Sequence, residues 1–115
     1  MKPRTVLVID DDSSIRLLCR VNLELDGFRV LEAATLEAAR AALAEADVVL
    51  LDVHVGEGDG IAFVRDVRAA RPAAGVALLT GSAELDATHG ADAVIGKPFT
   101  IDQLRETVER IGSGR

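Results

Sequence analysis

Two periods alternate along the chain. Short, mostly apolar runs, Thr5 to Ile9, Phe28 to Leu31, Val48 to Leu51, Val76 to Leu79 and Ala93 to Ile95, read as strands. Between them apolar residues recur at helical spacing. Ile15, Leu18, Val21 and Leu25 predict a first helix, stopped by Asp26-Gly27. Leu36, Ala39 and Leu43 mark a second, and Ile61, Val64 and Val67 a third, ended by Arg71-Pro72. A fourth must fit into Ser82 to His89, and Ile101, Leu104, Val108 and Ile111 form the stripe of a last helix.

Strict alternation of strand and helix predicts an α/β fold, a five-stranded parallel sheet with helices on both faces. The run Val48 to Leu51 has no polar interruption, as suits a strand covered on both sides. Repeats are absent, and Gly112-Ser113-Gly114-Arg115 reads as a frayed end or the stump of a linker. One domain over residues 1–115 is expected, the size of an ordinary domain.

Composition narrows the function classes. Hydrophobic residues make up 49% of the chain, but Trp and Tyr are absent, so the core must be built from Val, Leu, Ile and Ala. A net charge of −6 disfavours direct contact with nucleic acid or an anionic membrane. No stretch approaches a membrane span and the start is too short in apolar length for a signal peptide, which implies a cytoplasmic address. Cys19 cannot form an internal disulfide, and its apolar helical setting fits a buried small side chain better than a reactive thiol.

Ligands of such sheets bind beyond the carboxyl ends of the strands. Those ends carry Asp10, Asp11 and Asp12 after the first strand, Asp52 after the third, Thr80 with Gly81 and Ser82 after the fourth, and Lys97-Pro98 after the fifth. One of Asp12 and Ser13 can be spent on capping the first helix, which leaves Asp10 and Asp11 unexplained. Several carboxylates on one rim repel each other unless a divalent cation joins them, and oxygen ligands of this kind suit Mg²⁺, with Mn²⁺ an alternative. Beside a cation, Asp52 can act as a nucleophile on phosphorus, with the Lys97 ammonium and the Thr80 hydroxyl around the transferred group. The ordinary reading of Lys97 is a surface lysine, but its place at the end of a buried strand, before proline, sets it apart. Gly56-Glu57-Gly58-Asp59-Gly60 lacks the spacing of a dinucleotide fingerprint and is expected to be a flexible turn into the third helix. His54 and His89 lack zinc-ligand spacing with Cys19.

The segments VLVIDDDSSIR, LLLDVHVGEGDG, LLTGSA and GADAVIGKPF resemble, in order and over essentially the whole chain, the signature segments of response-regulator receiver domains. The resemblance implies a flavodoxin-like strand order 2-1-3-4-5. It implies that Asp52 is the phosphoacceptor, that Asp11 ligates Mg²⁺ directly, that Asp10 holds it through water and that the backbone carbonyl of His54 also ligates it. Thr80 is then the switch hydroxyl and Lys97 pairs with the phosphoryl group. The implied donor is a histidine kinase or a histidine phosphotransfer protein, and the implied output is through protein contacts, not turnover catalysis.

The chain departs from the family pattern in three places. Val55-Gly56 stands where Met-Pro is usual, so that loop is expected to be more mobile. Val94 stands where an aromatic switch residue is common. Only nine residues separate Thr80 from Gly90, so a shortened fourth helix and an altered output surface are expected. Two other functions were weighed. A haloacid-dehalogenase-like phosphatase needs a second Asp two residues after the nucleophile, where Asp52-Val53-His54 has none. A pseudo-receiver that binds without phosphorylation would not need Asp10, Asp11, Asp52, Thr80 and Lys97 together.

Overall fold

Strand β1 (Thr5–Ile9) is buried at every position, and the chain leaves it through the acidic loop into helix α1 (Ser13–Leu25). There follow β2 (Arg29–Ala33), α2 (Leu36–Ala42) with a single 3₁₀ turn after it, and β3 (Val48–Asp52). A small hairpin of β4 (His54–Val55) and β5 (Gly58–Asp59) leads into α3 (Gly60–Ala70), then β6 (Gly75–Thr80), β7 (Ala93–Gly96) and α4 (Ile101–Ser113). This computed structural model describes residues 4–81 and 88–113.

The main sheet is parallel throughout, in the order β2-β1-β3-β6-β7. Counting only its own strands, that is 2-1-3-4-5, the flavodoxin-like arrangement expected. Alternate side chains along each strand feed two cores. Leu7, Ile9, Val49, Leu51, Val76 and Leu78 pack under α2 and α3, while Val6, Val8, Val48, Leu50, Ala77 and Leu79 pack under α1 and α4. The apolar run of β3 is continuous because it feeds both.

The helix α1 corrects the periodicity reading. Its buried residues are Cys19 and Leu23, with Ile15 packed beside them, whereas Leu18, Val21 and Leu25 of the predicted stripe are exposed. Apolar residues occupy two opposite faces of this helix, and the sequence pattern alone does not choose between them. Two arginines on the flank fit the observed rotation. Arg16 donates to the Asp10 carbonyl at 2.7 Å and pairs with Glu32 of β2 at 3.1 Å, and Arg20 reaches the same Glu32 at 2.7 Å. Both contacts are made with Ile15, Cys19 and Leu23 turned inward.

Two smaller boundaries also moved. Phe28 precedes β2 and lies against the core, and the second helix gives way to the 3₁₀ turn at Leu43. Most of the segment predicted for a fourth helix lies outside the described residues. Its last two, Thr88 and His89, are non-helical, and His89 has φ +50°.

Candidate functional site

Three consecutive aspartates leave β1 and each does something different. Asp12 caps α1, its carboxylate accepting from the N–H groups of Ser14 at 2.8 Å and Ile15 at 3.4 Å, which satisfies donors at the helix start. Asp10 is 0% exposed. One of its carboxylate oxygens accepts from the Asp12 N–H at 3.0 Å and the other from Lys97 Nζ at 2.8 Å, so this buried charge is paired and hydrogen-bonded. Asp11 is exposed and accepts from the Gly56 N–H at 3.2 Å.

Asp52 is the last residue of β3 and is buried up to the rim. Its carboxylate accepts from the His54 backbone N–H and lies 3.5 Å from Lys97 Nζ. Close packing sets its backbone. The first residue of α3 is Gly60, where a Cβ would collide with the Asp52 carbonyl oxygen, and Gly60 N–H donates to the Val53 carbonyl at 2.8 Å. Thr80 is buried at the end of β6, and its carbonyl accepts from the Lys97 N–H at 2.7 Å, tying the last two strand ends together. Lys97 follows β7, and its bond to Pro98 is cis.

The structure therefore brings Asp10, Asp11, Asp52 and Lys97 to one rim, with His54 beside Asp52 and Thr80 on the neighbouring strand end. Oxygens of Asp10, Asp11 and Asp52 all lie within 4.8 Å of one another, the span a single small cation could bridge. Burial, followed by the charge of Asp10, pushes the Asp52 carboxyl above its ordinary value of 3.8, against the pull of Lys97 and the His54 N–H. For Lys97, burial pulls downward, but the hydrogen bond to Asp10 and the charges of Asp10 and Asp52 outweigh it, and the net direction is up. A strained acidic set with hard oxygen donors fits a divalent cation of the Mg²⁺ class. Among the described residues no His or Cys joins such a group. Cys19 is buried and its thiol is pushed up to about 12, chiefly by burial and then by Asp10, so it is a core side chain.

Sequence reasoning missed Arg16, Gly56 and Gly60 as supports of this rim. Arg16 had a faint signal, one helical turn beyond the capping Asp12. The segment expected to be a flexible turn is instead an ordered hairpin: Val55 pairs with Gly58 and is buried in the core under α2 and α3. Gly56 has φ +59° and Glu57 does not, the pattern of a two-residue II′ turn, which suits glycine at its first central position.

The raised Asp52 value has a measurable consequence. A carboxyl with a folded pKa above its unfolded one binds its proton more tightly in the native state. Native stability therefore falls as pH rises from 3.8 through the raised value, and the penalty persists at neutral pH. Asp52→Asn removes it. In EDTA at pH 7 the variant is expected to melt higher than wild type. The difference shrinks as pH falls through the raised value. A variant that melts lower at pH 7 would contradict the assignment.

Comparison with known proteins follows the same lines. Residues 6–109 match the family model described as response regulator receiver domain. The chain is 39% identical over 106 residues to the KDP operon transcriptional regulatory protein KdpE of Escherichia coli, covering 87% of this chain and 47% of that protein. It is 38% identical over 116 residues to the transcriptional regulatory protein AruR of Pseudomonas aeruginosa, covering 90% and 47%. It thus spans about half the length of these curated relatives. Among solved structures it resembles the receiver domain of NtrX from Brucella abortus, with TM-score 0.88 and 28% identity over 96% of this chain and 99% of that one. It also resembles a CheY-like receiver domain from Methanospirillum hungatei, with TM-score 0.87 and 27% identity over 95% and 93%.

Proposed function

The chain belongs to the response-regulator receiver family, a phosphorylation-dependent switch of two-component signalling, and from that premise we propose that Asp52 is its phosphoacceptor. The reading rests on one observation above the rest: the Asp52 carboxylate stands at the end of a buried strand, beside Asp10 and Asp11 and 3.5 Å from the Lys97 ammonium.

A carboxylate oxygen of Asp52 attacks phosphorus of a donor phosphohistidine. The new O–P bond forms as the P–N bond breaks, and the imidazole leaves with the bonding pair. Lys97 offers charge to the phosphoryl oxygens and Thr80 offers its hydroxyl. Asp11, Asp52 and the backbone carbonyl of His54 would hold Mg²⁺, or Mn²⁺ in its place, with Asp10 acting through water. When bound, the cation neutralises charge on the acceptor and on the transferred group. The phosphorylated aspartate carries nearly one more negative charge and new acceptor oxygens, which draw on Thr80 and Lys97 and bias the surface beyond β6.

The donor in this reading is a histidine kinase or a histidine phosphotransfer protein, and the whole of residues 1–115 serves as one receiver unit in the cytoplasm. Output goes through protein contacts. With a net charge of −6 the unit itself is assigned no contact with nucleic acid. Among the described residues no helix is long and apolar enough to cross a membrane.

Acetyl phosphate with Mg²⁺ tests the chemistry. The protein is expected to gain the mass of one phosphoryl group, labile to hydroxylamine, and to show no turnover of phosphate monoesters. Steady monoester hydrolysis would favour a phosphatase instead.

The exposed face of α1 bears on the donor. Leu17, Leu18, Val21 and Leu25 are exposed on a helix that starts directly beside the acidic loop, an apolar patch that suits a protein partner. Leu18→Glu is expected to slow transfer from a phosphorylated kinase domain at least about tenfold. Labelling by acetyl phosphate is expected to be unchanged. Equal slowing with both donors would place the effect in the rim and not in docking.

A further inference from the structure

The hairpin β4–β5 does more than lead into α3. In an extended strand the N–H groups of residues i and i+2 point to the same edge. One edge of β4 pairs with β5, His54 with Asp59 and Val55 with Gly58. The opposite side of the hairpin faces the rim, where the His54 N–H lowers the pKa of the Asp52 carboxyl and the Gly56 N–H donates to Asp11 at 3.2 Å. One short hairpin, through the end of β4 and the turn after it, thus turns backbone N–H groups toward two of the three carboxylates at the rim.

For Asp11 this is the one hydrogen bond its carboxylate makes among the described residues. Asp10 is held by Lys97 and the Asp12 N–H, and Asp52 by burial, but Asp11 is exposed and would otherwise turn freely. The donor is itself rigidly mounted. Val55 is sunk in the core under α2 and α3, and the close approach of Gly60 to the Asp52 carbonyl anchors the hairpin's other end. Proline, usual at this position in the resembling family, has no N–H and could not make the bond.

We propose that Gly56 is a positioning residue for Asp11: its amide holds the carboxylate in the orientation that brings an oxygen within 4.8 Å of oxygens of Asp10 and Asp52, where a divalent cation would sit. The inference rests on the metal-dependent reading above and adds a role for a residue that reading does not use. Pre-orientation lowers the ordering cost of binding, and supporting partners of metal ligands are commonly worth tenfold or more in affinity.

The test uses the full chain and Mg²⁺ alone. Trp and Tyr are absent, so binding is followed by calorimetry and amide NMR, not by intrinsic fluorescence. Two variants separate the amide from the turn. Gly56→Asn keeps the N–H although any side chain strains this turn, whereas Gly56→Pro strains the turn and removes the N–H. Gly56→Asn is expected to bind Mg²⁺ within about twofold of wild type, and Gly56→Pro about tenfold more weakly. Because proline also disturbs the turn, a second measurement reads the contact directly. In the metal-free wild type the Gly56 amide proton is expected to resonate downfield and to be protected from exchange, and Asp11→Ala is expected to move it upfield and expose it. An unmoved Gly56 amide in Asp11→Ala, or wild-type affinity in Gly56→Pro, overturns the proposal and leaves Asp52 as acceptor untouched. If the wild-type protein binds no Mg²⁺ at all, the metal-dependent reading fails and this inference fails with it.

Discussion

Asp52→Asn is expected to take up no phosphoryl group from acetyl phosphate and Mg²⁺ under conditions expected to label the wild-type protein. The amide has no anionic oxygen to attack phosphorus, so labelling falls at least about a thousandfold, the scale on which a lost nucleophile is felt. The neighbours do not substitute for it. Asp10 is fully buried with both oxygens engaged by Lys97 and the Asp12 N–H, and Asp11 is tied to the hairpin. The raised melting temperature expected of the same variant in EDTA removes the objection that it has merely unfolded. Intact mass and peptide mapping decide the matter: a phosphoryl group on any residue of the variant at wild-type yield would end the assignment.

Lys97→Met is expected to weaken the fold and to tighten the metal site at once. Lys97 Nζ is 2.8 Å from a carboxylate oxygen of Asp10, which has no exposure, and 3.5 Å from Asp52. Methionine keeps the length of the side chain and removes its charge, leaving a buried carboxylate without its cation. Breaking a buried pair in this way costs about 3 kcal/mol or somewhat more. Urea unfolding in EDTA should show that loss as a lower midpoint. The same charge repels a divalent cation, so its removal raises Mg²⁺ affinity, and saturating Mg²⁺ returns part of the lost stability by mass action. Lower stability with weaker metal binding would mean that Lys97 organises the rim in some other way. Unchanged values of both would mean that it lies free in solution.

The architecture was readable because strand and helix periods differ and alternate cleanly here. The run Val48 to Leu51 suited an inner strand, which put Asp52, next in the chain, at its rim, and β3 ends there. The gathering of Asp10, Asp52, Thr80 and Lys97 follows from the same fact, since parallel strands place all their carboxyl ends on one side of a sheet. Strand order came from resemblance, not from periodicity, because a period says which face a residue takes and nothing about which strand lies beside it.

What required the tertiary structure was every choice between locally equivalent alternatives. Helix α1 has apolar residues on two opposite faces, and the pattern pointed to Leu18, Val21 and Leu25, the face that proved exposed. In the folded chain the other face packs inward, and Arg16 and Arg20 reach Glu32, more than ten residues away in the chain. The Gly56 to Gly60 segment looked like slack between two elements, yet it closes as a hairpin because Val55 finds a core to fill and Gly60 can approach the Asp52 carbonyl. The amino-acid order by itself determined the elements, the layering and the acidic rim, through short-range periodicity and strand direction. Rotation of a helix about its axis and the aim of a backbone N–H at a carboxylate depend on contacts between distant residues, and those exist only once the sheet has closed.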